Sequence, residues 1–195
     1  MKNAIILHGR PDDWEYYGLK YPAQSNSHWI PWLQKRLHAK DIFTQTPEIP
    51  MSFRPDYNTW KKEFERFDVG VQTILVGHSC GGGFLVRWLT ENKTTKVGKV
   101  VLVAPWLNPE DSPKSETGNF FHFEIDENIA GRTSGLTIFV SDNDEETIHK
   151  SVDIIKATVK NLKVREFRGK GHFTHEYMPD DTFPELLEEC LAGNT

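Results

Sequence analysis

Gln72 to Glu91 reads QTILVGHSCGGGFLVRWLTE, and the order of residue types along it decides the fold. Thr73-Ile74-Leu75-Val76 is an unbroken β-prone apolar run, the pattern of a strand covered on both faces and so of a central parallel strand. Gly77-His78-Ser79-Cys80-Gly81 follows and matches G-x-S-x-G, in which a serine sits on a sharp turn between a strand and a helix. Phe84, Leu85, Trp88 and Leu89 then recur at helical spacing. A serine held on so tight a turn needs small neighbours two residues before and after it, which Gly77 and Gly81 supply. The following helix start presents backbone N–H groups to negative charge developing beside Ser79, so the Cys80 amide is a candidate oxyanion donor.

Upstream, Ala4-Ile5-Ile6-Leu7-His8-Gly9 is a first buried strand ending in a turn. With a G-x-S-x-G serine, the second oxyanion donor comes from the loop after such a strand, and the Arg10 amide is the candidate. Pro11 to Ser27 is a long polar loop with Trp14, Tyr16, Tyr17 and Tyr21, placed either to line the site mouth or to pack on the body. Ser27 is the expected N-cap of a helix carrying Trp29, Trp32, Leu33 and Leu37, with Pro31 in its first turn. A short strand is expected at Ile42 to Thr46 and a helix at Asn58 to Phe67.

Downstream, Val100 to Ala104 reads as a strand stopped by Pro105, Leu136 to Val140 as another, and Val164 to Phe167 as the last. Helices are expected from about Glu145 to Asn161 and from Thr182 to Leu191. Residues 106–134 lack clean periodicity and hold Phe120, Phe121 and Phe123, which suits either a substrate-facing lid or a surface excursion with its own small core. Strands alternating with helices predict one α/β domain over residues 1–195, with a parallel sheet of about six strands and helices on both faces.

A net charge of −5 with no Lys/Arg cluster argues against nucleic acid as a partner. No apolar span is long enough for a bilayer, and the four apolar residues before His8 are too few for a signal-peptide core, so a cytoplasmic, non-membrane protein is expected. Cys80 and Cys190 are too few for a disulfide framework or zinc site and read as reduced thiols.

A serine hydroxyl becomes a nucleophile when a base takes its proton, and the base needs an orienting carboxylate. Of eight histidines, His172 stands in a glycine-flanked loop just after the last strand and is the candidate base. His175, beside Glu176, reads as a surface residue, and a His172/His175 metal pair lacks further ligands, so no metal or cofactor is expected. The loop after Val140 offers Asp142 and Asp144, of which Asp144 is preferred as the acid; the alternative, that these aspartates only cap the next helix, suits Asp142 less well because it lies farther from that helix. The order serine, aspartate, histidine is the one expected for a G-x-S-x-G serine on this fold.

These residues resemble the α/β hydrolases, and specifically the small, nearly capless serine hydrolases of the retinoblastoma-binding-protein hydrolase type and their bacterial relatives. The likeness is carried by Ile6-Leu7-His8-Gly9, His28-Trp29-Ile30-Pro31-Trp32-Leu33, Val76 to Gly81, Val101 to Pro105 and Gly171-His172-Phe173. It implies six parallel strands with a minimal cap, and a triad of Ser79, Asp144 and His172. Two departures stand out: Glu145 follows Asp144 where the family usually has proline, which keeps Asp142 open, and the loop from Arg10 to Ser27 is longer than usual. The expected activity is hydrolysis of a carboxylic ester or thioester of a small acyl substrate through an acyl-enzyme. The alternative is a protein-binding module on a hydrolase scaffold, because fold does not dictate function and relatives of this type have been regarded as partner-binding proteins.

Overall fold

The computed structural model describes residues 2–108 and 117–193. Along the chain run β1 (Asn3–Leu7), α1 (Asp13–Tyr17), α2 (Ile30–His38), β2 (Phe43–Gln45), α3 (Tyr57–Phe64), β3 (Thr73–His78) and α4 (Cys80–Glu91). They are followed by β4 (Val97–Val103), β5 (Thr133–Ser141), α5 (Glu146–Thr158), β6 (Lys163–Phe167) and α6 (Pro184–Leu191). The strands form one six-stranded parallel sheet in the order β2-β1-β3-β4-β5-β6.

Every residue of β3 and β4 is buried. Alternate side chains of a strand point to opposite faces, so both faces of the sheet centre are covered, as the unbroken apolar runs require. The edge strands β2 and β6 are part-exposed. On one side α3 and α4 interlock through aromatic rings: Trp60 and Phe64 lie 5.7 and 5.4 Å from Phe84, and Phe64 lies 5.0 Å from Trp88. Elsewhere the residue preceding α2, Trp29, meets Phe183 at the start of α6, with ring centroids 5.9 Å apart.

Three segments differ from the expectation. Ser27 does not cap α2: His28 takes φ 56° and turns the chain, Trp29 becomes the N-cap, and the Ser27 hydroxyl donates instead to the Ala23 carbonyl at 3.2 Å. Within 106–134, residues 109–116 lie outside the described residues. Phe120, after them, joins the main core, with its ring 5.5 Å from Trp60 and 6.0 Å from Tyr57. Arg87 of α4 fastens this stretch by donating to the carbonyls of Asn119 and Phe120 at 2.6 and 2.8 Å. Loop 11–27 divides its aromatics: Tyr16 and Tyr17 pack on Phe53 at 4.9 and 5.4 Å, while Tyr21 borders the cavity described below.

The connection from β1 runs outward to β2, and that from β3 runs the other way to β4. Between the carboxyl ends of β1 and β3 the winding therefore reverses, which is where open α/β sheets form a ligand crevice. His8 and Gly9 lie just beyond one of these strand ends, and Ser79 lies just beyond the other.

Candidate active site

A cavity of about 660 Å³ opens at that crevice, bordered by His8, Gly9, Arg10, His78, Ser79 and His172 among others. Ser79 has φ 51° and ψ −118°, a sparsely populated conformation for a residue with a side chain. The fold holds it there. The Ser79 amide donates to the Val103 carbonyl at 2.9 Å, and the Ser79 carbonyl accepts from the amides of Trp106 and Gly83 at 3.0 and 3.1 Å. Neither flanking glycine has room for a side chain: a β-carbon on Gly77 would lie 2.6 Å from the Gly81 carbonyl oxygen, and one on Gly81 would lie 2.5 Å from that of His8. Helix α4 thus starts in direct backbone contact with the end of β1. Gly9 lies as close on the cavity side, where a β-carbon would be 3.1 Å from Ser79 Cβ.

His172 Nδ1 lies 3.0 Å from Asp144 Oδ1, whose side chain is fully buried, while the imidazole is 22% exposed. A carboxylate oxygen only accepts, so Nδ1 carries the proton and Nε2 is left with its lone pair. Asp142 does not reach the imidazole; its Oδ1 accepts the Gly169 amide at 2.8 Å. It belongs to a ladder between two loops. Ser141 Oγ accepts the Lys170 amide and Asn143 Oδ1 the Gly171 amide, each at 2.8 Å, and Asp144 completes the run on His172. Four consecutive residues from the end of β5 thus grip four consecutive residues after β6.

Two further bonds fix the His172 loop from the other side. His78 Nε2–H donates to the His172 carbonyl at 2.8 Å, and the Trp29 indole donates to the Phe173 carbonyl at 3.1 Å. Burial keeps the His78 imidazole well below the ordinary histidine range, with His172 and His28 nearby acting in the same direction, so His78 serves as a neutral donor. The tryptophan before α2 and the Gly-His-Phe loop are thereby one assembly, although 144 residues apart in sequence. Phe173 anchors it, fully buried and stacked on Phe183 at 5.4 Å.

His8 sets the loop after β1. Its Nε2 accepts the Ile49 amide at 3.0 Å, so Nδ1 carries the proton and donates to the Gly9 carbonyl at 2.7 Å. Burial is the main cause holding its pKa below the usual value. The peptide group is planar and trans, so fixing the Gly9 carbonyl also fixes the Arg10 N–H, which points to the opposite side. The Cys80 thiol is buried and its pKa is raised by desolvation, which makes its sulfur a poor nucleophile. Among the described residues no three His, Cys, Asp or Glu converge as a metal site, and no helix is long and apolar enough to cross a membrane.

Sequence reasoning named Ser79, Asp144 and His172 but gave no role to Ser141, Asn143 or His28. His28 borders the cavity and stacks on His175, with ring centroids 5.3 Å apart and planes 14° from parallel. His175 is exposed at the cavity rim, in keeping with its reading as a surface residue. A ring turned toward a site by one positive-φ residue leaves no periodic trace in sequence.

Residues 19–178 match the model of the serine hydrolase family. YdeN of Bacillus subtilis (strain 168), a hydrolase by name, is 26% identical over 194 residues, covering 95% of this chain and 90% of its own. The crystal structure of the B. subtilis ydeN gene product superposes with a TM-score of 0.75 at 20% identity, over 96% of each chain. Ferulic-acid-bound Est1E from Butyrivibrio proteoclasticus gives 0.62 at 16% identity, over 97% of this chain and 86% of its own. At such identities the structural likeness speaks for the α/β-hydrolase fold, and the family match speaks for the chemistry. The chain belongs to the serine hydrolase family and carries an α/β-hydrolase fold.

Proposed function

We propose that the protein hydrolyses a carboxylic ester or thioester through an acyl-enzyme on Ser79. In this reading Ser79 Oγ attacks the carbonyl carbon as its proton passes to His172 Nε2, the one ring nitrogen that the Asp144 bond leaves with a lone pair. Asp144 orients the ring and favours the imidazolium. The amides of Cys80 and Arg10 stabilise the oxyanion, the first at the start of α4 and the second on a peptide whose direction His8 governs. His172 then gives its proton to the leaving oxygen, and water repeats the sequence on the acyl-enzyme to release the acid.

The observation that carries the reading is the conjunction of Ser79 on its positive-φ turn with His172, paired to the buried Asp144, bordering the same cavity. The test is reaction with a fluorophosphonate probe. Wild-type protein should label, and Ser79→Ala should not, with an unchanged circular dichroism spectrum. Labelling that persists in the variant excludes Ser79 as the nucleophile.

A further inference from the structure

His28 lies on the cavity wall, edge-on to His78 at 5.9 Å and stacked on His175, and His78 in turn lies 5.0 Å from His172. Its Nδ1 accepts the His175 backbone amide at 3.2 Å. An amide can only donate, so this bond places the His28 proton on Nε2. Burial first, then the neighbouring His175 and His172, lower its pKa to about 4, which keeps the ring neutral at ordinary pH. The result is an uncharged donor whose direction is set by a backbone bond. The cavity wall around it is mixed: the polar Gln24, Asn26 and Ser27 precede His28 in sequence, Ile30, Pro31 and Trp32 follow it, and Thr174 stands between His172 and His175.

We propose that His28 is a specificity residue whose Nε2–H donates to an oxygen in the leaving group, so that the enzyme favours esters of alcohols with a second oxygen near the ester bond. The proposal rests on reading His172 as the group that hands a proton to the leaving oxygen, because this places the leaving group against the wall that His172, Thr174, His175 and His28 share. An aliphatic leaving group there would leave the Nε2–H unpaired and desolvated.

A matched pair of substrates isolates the effect. Butyl acetate and 2-methoxyethyl acetate share the acyl group and differ by one CH₂ replaced by an ether oxygen, which can only accept. After division by the ratio of their hydroxide-catalysed rates, wild-type kcat/KM should favour the methoxyethyl ester by about fivefold, the size expected of one neutral hydrogen bond. His28→Asn is the variant of choice. Asparagine tolerates the φ of 56°, and its Oδ1 can take the place of Nδ1 toward the His175 amide while its Nδ2 donors stop short of where Nε2–H stood. The normalised preference should fall to about one. A preference that survives in His28→Asn, or no preference in a wild type that hydrolyses both esters, overturns the proposal and leaves the triad reading intact. A wild type that neither labels with fluorophosphonate nor cleaves either ester overturns both.

Discussion

Replacing Asn143 by alanine tests whether the ladder between the loops after β5 and β6 serves catalysis or only folding. The change removes one acceptor that holds two donors, the Gly171 amide and the Ser141 hydroxyl, each at 2.8 Å. Gly171 is buried and its bond to the exposed Asn143 is part-buried, so losing the partner costs about 1–3 kcal/mol, less to the extent that water takes its place. For a domain of this size that lowers Tm by about 2–12 °C. The larger effect is expected in the rate. Gly171 immediately precedes His172, and a displacement of the base by about 1 Å costs on the order of 10²-fold in the chemical step. Asn143→Ala should therefore lower kcat by about 10- to 100-fold on a p-nitrophenyl ester while KM stays within about threefold, since the cavity wall is untouched. Asn143→Asp keeps an oxygen at the same reach and should recover most of the lost rate. An alanine variant that melts lower yet turns over at the wild-type rate would refute the reasoning, because the rung would then be structural only.

Asp144→Asn should lower kcat by about 10⁴-fold by favouring the wrong imidazole tautomer, whereas Asp142→Asn retains its acceptor and should stay within about threefold, both read by the same ester assay. Gly81→Ala sets a β-carbon 2.5 and 2.8 Å from the carbonyl oxygens of His8 and Leu7, backbone atoms that cannot swing aside; a loss of about 1–3 kcal/mol or more is expected from thermal melts. Acidification should destabilise the protein through its neutral histidines. His28 titrates near 4 when folded and near 6.5 when unfolded, so the unfolded chain takes up the proton first. Its contribution is whole above about pH 6.5 and is lost as pH falls toward 4. His8 and His78, also lowered by burial, act with the same sign. His28→Asn should flatten the fall of Tm with pH across that window, and an unchanged slope would count against the assignment.

The parts legible in the sequence are those written in local pattern. Ile74-Leu75-Val76 and Val100 to Val103 declare buried strands because a fully covered strand needs apolar residues on both faces, and Ser79 stands out because its turn demands Gly77 and Gly81. His172 stands out by its flanking glycines, and Asp144 by its place in the loop that follows a buried strand. What escaped is made of bonds between distant segments. Asn143 holds Gly171 across 28 positions and Trp29 holds Phe173 across 144, and a side chain reaching a backbone group so far away imposes no spacing that reading along the chain can detect. Ser27 misled for a related reason: its type suits a cap, but the turn at His28 moves the helix start past it. The aromatics at 120–123 suit either a substrate-facing lid or a small core of their own, whereas Phe120 is fully buried in the main core against Trp60 and Phe84.

Helix α5 separates the two ladder loops in sequence, with residues 141–144 before it and 169–172 after it. Cleaving the chain at the turn beyond Thr158 would send Asp144 away with one fragment and His172 with the other, so under the proposed mechanism turnover would return only on their reassociation. The same four rungs that steady the imidazole thus mark a seam for a split-enzyme reporter, in which light or colour from a hydrolysed ester records the meeting of two fused proteins.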